Sequence, residues 1–407
     1  MNAIEEKLQA ALAQATRDRE FQAATRALPA AIRLRVDGGG ELTAWPGDPA
    51  GPPEPATSLQ LSAPASTWDK ILRPAPPPGY QSFTAAMRFA QGFSIQGGEL
   101  PLAQALHALE RLFEILRGQI DAGPPHSQLD RSAIHGRYAD IAFGGTTACL
   151  HIEEAGAGAP LVLLHTAGAD ARQYHALMAD PALRAKWRMI AFDMPGHGRS
   201  PPLPGTAWTA PDLRRDDYLA ICQAVIRQCA GGPSVLLGCS MGAAMALYAA
   251  ARSPADVAGV IALEAPWRAA GRLTPMLRHP QVNQAAHNAA YVRGLMAPQS
   301  PLAMRREAAW IYSQGGFGVY ASDLHFYSED FDAPAHLAGL DASRFGICLM
   351  TGAYDYSARP EDSQRVAALI PGARYLTMPD LGHFPMIENP ARLLDYLRPE
   401  LERLEAR

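Results

Sequence analysis

Five short, unbroken apolar runs constrain this chain more than any other feature: residues 161–165, 189–193, 235–238, 260–264 and 347–351. None shows the alternation of a strand with one wet face, so each must be covered on both sides, as strands of a parallel sheet are. Residues 212–229 and 242–252 carry helical patterning and are long enough to cross from one such strand to the next. The expected class is α/β, a doubly wound, mostly parallel sheet. Residues 138–143 and 148–152, joined through Gly144 and Gly145, are expected to add an antiparallel hairpin at its start.

Such a sheet collects site residues at its carboxyl edge. There the third run delivers Gly238-Cys239-Ser240-Met241-Gly242 and passes into the small-residue helix 243–247. Glycines two before and two after the serine let a tight strand-to-helix turn close without Cβ clashes, which lifts the Ser240 hydroxyl above the edge. A serine hydroxyl is almost wholly protonated at neutral pH and needs a base to act as a nucleophile. His383 answers that need: it follows the last expected strand, 375–378, in a loop opened by Pro379-Asp380-Leu381-Gly382. Two carboxylates compete to orient it. Asp355 lies just past the fifth run; Glu264 ends the fourth, and also fits a solvated charge or a partner of Arg268.

Four segments in this order, His165-Thr166-Ala167-Gly168, residues 192–200 with Pro195-Gly196-His197-Gly198, the Ser240 turn, and Gly382-His383-Phe384-Pro385, resemble the α/β-hydrolase family over about residues 135–405. The resemblance implies that Ser240 is the nucleophile, His383 the base and Asp355 the acid. Glu264 is the alternative acid, because some members, among them certain resorcylic-lactone hydrolases, take it from that strand end. It further implies an oxyanion hole from the backbone N–H groups of Met241 and Ala167, with His165 shaping the loop.

About 80 residues between Glu264 and Arg344 fit no strand and read as a helical cap, about 265–343, rich in aromatic side chains such as Trp310, Tyr312, Tyr320 and Tyr327. Ser313-Gln314-Gly315-Gly316-Phe317-Gly318 reads as a mobile turn within it. The first 120 residues differ in kind. Helical patterning to residue 27, alternating runs at 31–36 and 57–61, proline-rich loops at 45–55 and 74–79, and an amphipathic helix over 101–116 describe a small α+β domain. Residues 121–132 are expected as linker and 133–407 as the second domain. Trp68 with its neighbours and Gly92-Phe93-Ser94-Ile95-Gln96-Gly97 resemble the sterol carrier protein type two fold, which implies a lipid-binding module. A module for homo-oligomerisation is the alternative.

With 19% charged residues and a net charge of −4 the chain presents no strong field, so a small-molecule substrate is expected, and neither nucleic acid nor a membrane span. The charged N-terminus and five scattered cysteines fit a cytoplasmic, reduced protein. No phosphate loop, H-E-x-x-H or paired Cys/His cluster occurs, so no cofactor and no metal are expected. The expected activity is hydrolysis of a carboxylic ester or lactone of a bulky, apolar small molecule through an acyl-enzyme on Ser240. Alternatives are a carbon–carbon bond hydrolase acting on a β-diketone or ring-fission product, and a non-catalytic ligand-binding protein of the same fold.

Overall fold

The computed structural model describes residues 3–47, 57–119, 129–206, 213–269 and 271–406. The later strands form an eight-stranded sheet from β5 (His135–Phe143), β6 (Thr146–Ala155), β7 (Ala159–Leu164), β8 (Trp187–Phe192), β9 (Ser234–Cys239), β10 (Val257–Leu263), β11 (Gly346–Gly352) and β12 (Arg374–Met378). Their order is β12-β11-β10-β9-β7-β8-β6-β5. The central strands pair in parallel, and β5 and β6 form the expected antiparallel hairpin. Every residue of β9 and of β11 is buried, which is why those runs carry no polar alternation. The chain runs from β7 outward to β8 and then crosses back to β9 on the other side. The crevice at the carboxyl ends of β7 and β9 is therefore the topological switch point of the sheet.

The first part of the chain builds a separate four-stranded sheet, β2-β1-β3-β4, from β1 (Ala31–Val36), β2 (Glu41–Trp45), β3 (Ser58–Ala63) and β4 (Ser94–Gln96). β1 and β3 run parallel with Leu59 and Leu61 buried beneath the helix Glu99–Leu116. β2 was not expected from the sequence. It is an edge strand with Glu41 and Thr43 exposed, and the Pro46-Gly47 that follows reads as a turn. Trp68, Phe83, Phe93 and Phe113 pack edge-on as the centre of this unit's own core. The proline-rich tract after residue 47 and most of the expected linker, residues 121–128, lie outside the described residues.

Between β10 and β11, the segment read as a cap from the sequence and called the cap below contains the helices Gln284–Gly294, Leu302–Tyr312, Val319–His325 and Ala333–His336. Residues 313–318 form a turn tied to the body, where Arg172 Nη1 donates to Gln314 Oε1 at 2.6 Å.

Buried ion pairs join the first unit to the cap. The Glu114 carboxylate accepts from Arg111 Nη1 at 2.9 Å, from Arg305 Nη1 at 3.1 Å and from Arg293, while Glu20 pairs with Arg293 and Arg306. Burial alone would raise the Glu114 pKa, but the guanidinium groups of Arg293, Arg305 and Arg111 outweigh it and hold the group at about 2.

Candidate active site

Ser240 sits at the first turn of the Met241–Arg252 helix with φ 57°, a left-handed backbone that only a surrounding structure can impose on a non-glycine residue. Its N–H donates to Leu263 O at 2.9 Å, and its carbonyl accepts from Ala244 N–H at 3.0 Å. The flanking glycines are required by close approach. A Cβ on Gly238 would collide with the Gly242 carbonyl, and one on Gly242 with the Leu164 carbonyl of the neighbouring strand. The turn is thus wedged between β9 and β7, with the hydroxyl over the switch point.

His383 lies in the loop after β12, its N–H donating to Leu295 O at 3.0 Å. Its Nδ1 is 2.6 Å from Asp355 Oδ2 and its Nε2 2.9 Å from Ser240 Oγ. A carboxylate only accepts, so Nδ1 donates to Asp355 and Nε2 is left to accept the Ser240 hydroxyl. Asp355 follows β11 and is itself held in place: its Oδ1 accepts from Ser357 N–H at 2.7 Å and from Ala358 N–H at 3.2 Å. All three side chains are buried.

Glu264, the other carboxylate weighed from the sequence, is neither solvated nor paired with Arg268. It is fully buried, and both its oxygens accept from Gly352 N–H, at 3.0 and 3.1 Å. It stands against Asp355 and His383 without a hydrogen bond to the imidazole. Burial and then the Asp355 charge push its pKa well above the ordinary carboxyl range. The loop after β12 has a second buried carboxyl, Glu388, which accepts from Gly382 N–H and from Ala297 N–H at 3.0 Å; burial raises its pKa to about 8.

Among the described residues the N–H groups of Met241 and Ala167 have no protein acceptor, and each belongs to a strand end beside the switch point. His165 shapes the second of these ends. Its Nδ1 donates to Thr166 O at 2.8 Å and its Nε2 accepts Met194 N–H at 3.1 Å, a bonding pattern that requires the neutral ring. The next residue, Gly168, donates its N–H to Asp323 Oδ2 of the cap at 2.7 Å. Cys239 is buried behind the serine, its thiol donating to His383 O at 3.2 Å, and burial raises its pKa well above the ordinary range.

Three further side chains were not singled out by sequence reasoning as site residues. Asp323 accepts from Gly168, His197 and Tyr218 at once. Tyr327 directs its hydroxyl toward Ser240 and Ser357, yet makes a hydrogen bond with no protein group. Arg272 reaches Ser357 Oγ and, at 3.2 Å, Tyr320 OH. All three come from the cap, whose folding over Ser240 is a long-range event without a local motif.

Residues 161–396 match the family model described as the Alpha/beta hydrolase family. Curated relatives include a putative non-heme haloperoxidase of a Mycobacterium phage, 35% identical over 114 residues (28% of this chain, 38% of the relative). Another is a pimeloyl-[acyl-carrier protein] methyl ester esterase of Neisseria meningitidis, 37% identical over 95 residues (23% of this chain, 32% of the relative). The chain spans about a third of the length of these relatives. Among solved structures, a thermophilic esterase from Thermogutta terrifontis aligns with TM-score 0.52 and 23% identity over 66% of this chain and 99% of its own. The enol-lactonase from Burkholderia xenovorans aligns with TM-score 0.54 and 21% identity over 65% and 100%. The family model covers more than half of the sequence, and the chain belongs to the α/β-hydrolase family of enzymes.

Proposed function

We propose that this enzyme cleaves a carboxylic ester or lactone of a bulky, largely apolar small molecule through an acyl-enzyme on Ser240. The observation that carries this reading is the continuous relay from Ser240 Oγ to His383 Nε2, 2.9 Å, and from His383 Nδ1 to Asp355 Oδ2, 2.6 Å.

In the first step Ser240 Oγ forms a bond to the carbonyl carbon while His383 Nε2 takes the hydroxyl proton. The imidazolium that results is supported by Asp355. Negative charge moves onto the carbonyl oxygen, where the free N–H groups of Met241 and Ala167 supply fixed donors that need no reorganisation. Collapse breaks the bond to the alcohol oxygen, which leaves with the proton from His383. A water then repeats the sequence on the acyl-enzyme: His383 takes its proton, the carbon–oxygen bond to Ser240 breaks, and Ser240 recovers its hydrogen as the acid departs. In this reading His383 serves as base and then as acid, while Ser240 and Asp355 each keep one role.

The test is hydrolysis of a p-nitrophenyl ester together with intact-protein mass after a short incubation. The native enzyme is expected to carry a transient acyl adduct on Ser240. Ser240→Ala should lose the adduct and about 10⁶-fold in kcat. Turnover that survives Ser240→Ala, or an adduct on another residue, overturns the reading.

A further inference from the structure

A cavity of about 400 Å³ opens between the first unit and the cap, lined by Met87, Ala103 and Leu106 on one side and by Arg272, Tyr291 and Tyr320 on the other. Its walls are predominantly apolar, and Arg272 is the buried charge among them. Arg272 is only 9% exposed, and among the described residues it forms no ion pair. Its protein contacts are the Ser357 and Tyr320 hydroxyls and the face of Tyr291, 4.9 Å from the ring centroid. A guanidinium is always protonated in a protein. Proteins bury such a charge with a carboxylate beside it, as Arg111, Arg293 and Arg305 are buried against Glu114. At Arg272 hydroxyls and an aromatic face stand where that anion would be.

Arg272 is linked to the Ser240–His383–Asp355 set through Ser357 and Tyr320. Ser357, which it contacts, donates its N–H to Asp355 at 2.7 Å. Tyr320 lies against Gly168, one residue beyond Ala167. The unpartnered Tyr327 hydroxyl faces both Ser240 and Ser357. The remaining charges on the lining are Arg88, exposed and stacked near Tyr291 and Tyr356, and Glu99, exposed at the outer rim.

We propose that Arg272 is the counter-ion for a carboxylate on the substrate, and that the cavity between the first unit and the cap holds the substrate's apolar body. The substrate is then an amphipathic ester or lactone bearing one ionised carboxyl group. This rests on the ester or lactone reading above and narrows its substrate class. A guanidinium offers a carboxylate two parallel N–H donors, and an apolar surround strengthens that pairing relative to water.

The test uses esters with a carboxylate on the acyl or the alcohol side, each paired with its methyl-capped neutral twin, assayed by base uptake at constant pH. The native enzyme is expected to favour at least one charged ester over its twin by tenfold or more in kcat/KM. Arg272→Met should erase that ratio, and Arg272→Lys should restore part of it. In Ala103→Phe, which fills the cavity from the first unit, the ratio of octanoyl to acetyl ester turnover should fall. A ratio near one in the native enzyme, or a preference that survives Arg272→Met, overturns the proposal. Calorimetric titration of the Ser240→Ala protein with octanoate and with octanamide separates this proposal from the reaction. Octanoate binding at least tenfold tighter than octanamide, and lost in Arg272→Met, supports the subsite even if no ester is turned over. Equal binding of the two sinks it.

Discussion

Ser240 and Glu264 are the two non-glycine residues with positive φ among those described, and they end adjacent strands of the sheet. Each such backbone costs about 1–3 kcal/mol. At Ser240 the strain presents a hydroxyl; at Glu264 it turns a carboxyl inward against Asp355. The two acids differ in environment: Asp355 is bonded to His383, whereas Glu264 is bonded to Gly352 N–H with its pKa raised by burial. Asp355→Asn is expected to lower kcat on a p-nitrophenyl ester by about 10⁴-fold, because an amide cannot hold the donating Nδ1 tautomer. Glu264→Gln, whose amide oxygen still accepts Gly352 N–H, is expected to stay within about tenfold of the native enzyme. Reversal of that order would make Glu264 the acid. Stability supplies a second readout. With its folded pKa raised, Glu264 keeps its proton in the native state after the unfolded chain has released it. It therefore contributes a falling stability as pH rises from about 4.5, at up to about 1.4 kcal/mol per pH unit. Urea unfolding of Glu264→Gln between pH 4.5 and 8 should show a shallower decline than the native protein; parallel curves would contradict the assignment.

At the scale of elements, the Asp323 carboxylate joins the Tyr312–Thr166 hydroxyl pair in fastening the cap to the loop after β7. Asp323 Oδ2 takes Gly168 N–H at 2.7 Å and His197 Nε2 at 2.6 Å, and Oδ1 takes Tyr218 OH. His197 also donates Nδ1 to Pro195 O, so both ring nitrogens are donors and the ring is charged. Burial opposes that charge, but Asp323 outweighs it and raises the His197 pKa. Such a histidine contributes stability that is fully present below its unfolded pKa of about 6.5 and is lost as pH rises through the higher folded value. Asp323→Asn is expected to cost about 3–5 kcal/mol by denaturant unfolding, to remove that pH dependence, and to lower kcat by loosening the loop that carries Ala167. An unchanged midpoint would show that the cap is held elsewhere. The sequence pointed to Ser240, His383 and Asp355 together because each follows an apolar run, and the structure brings the three within hydrogen-bond reach. The choice between Asp355 and Glu264 was not legible, since both lie at strand ends. Tyr327 was visible only as one of the cap's aromatics, and Asp323 and Arg272 left no signal, because a cap helix meets the sheet through contacts that no spacing encodes.

On the scale of the whole molecule, the first unit grips the loop that carries Asp355. Gln81 Nε2 donates to Tyr354 O at 2.9 Å, Tyr354 OH donates to Pro76 O at 2.9 Å, and the Thr84 and Tyr356 hydroxyls are bonded. Composition exposed the change in character near residue 120, but not that the two parts would share buried charge. Glu114→Gln would leave Arg111, Arg293 and Arg305 buried with too little compensation. It is expected to destabilise the protein by about 3–5 kcal/mol and to shift the calorimetric transition as a whole. A second, separate transition in the native protein would mean that the units fold independently.

That grip also sets an order of events during synthesis. At about 5–20 residues per second, Gln81 and Thr84 leave the ribosome on the order of tens of seconds before the Tyr354 and Tyr356 they will hold. Throughout that interval the first unit displays an incomplete surface, and Ser240 lacks the His383 and Asp355 to which it will be linked. Reactivity is therefore deferred until the chain is nearly finished. A chain of this design completes the relay from Ser240 through His383 to Asp355 only after its last strands have docked.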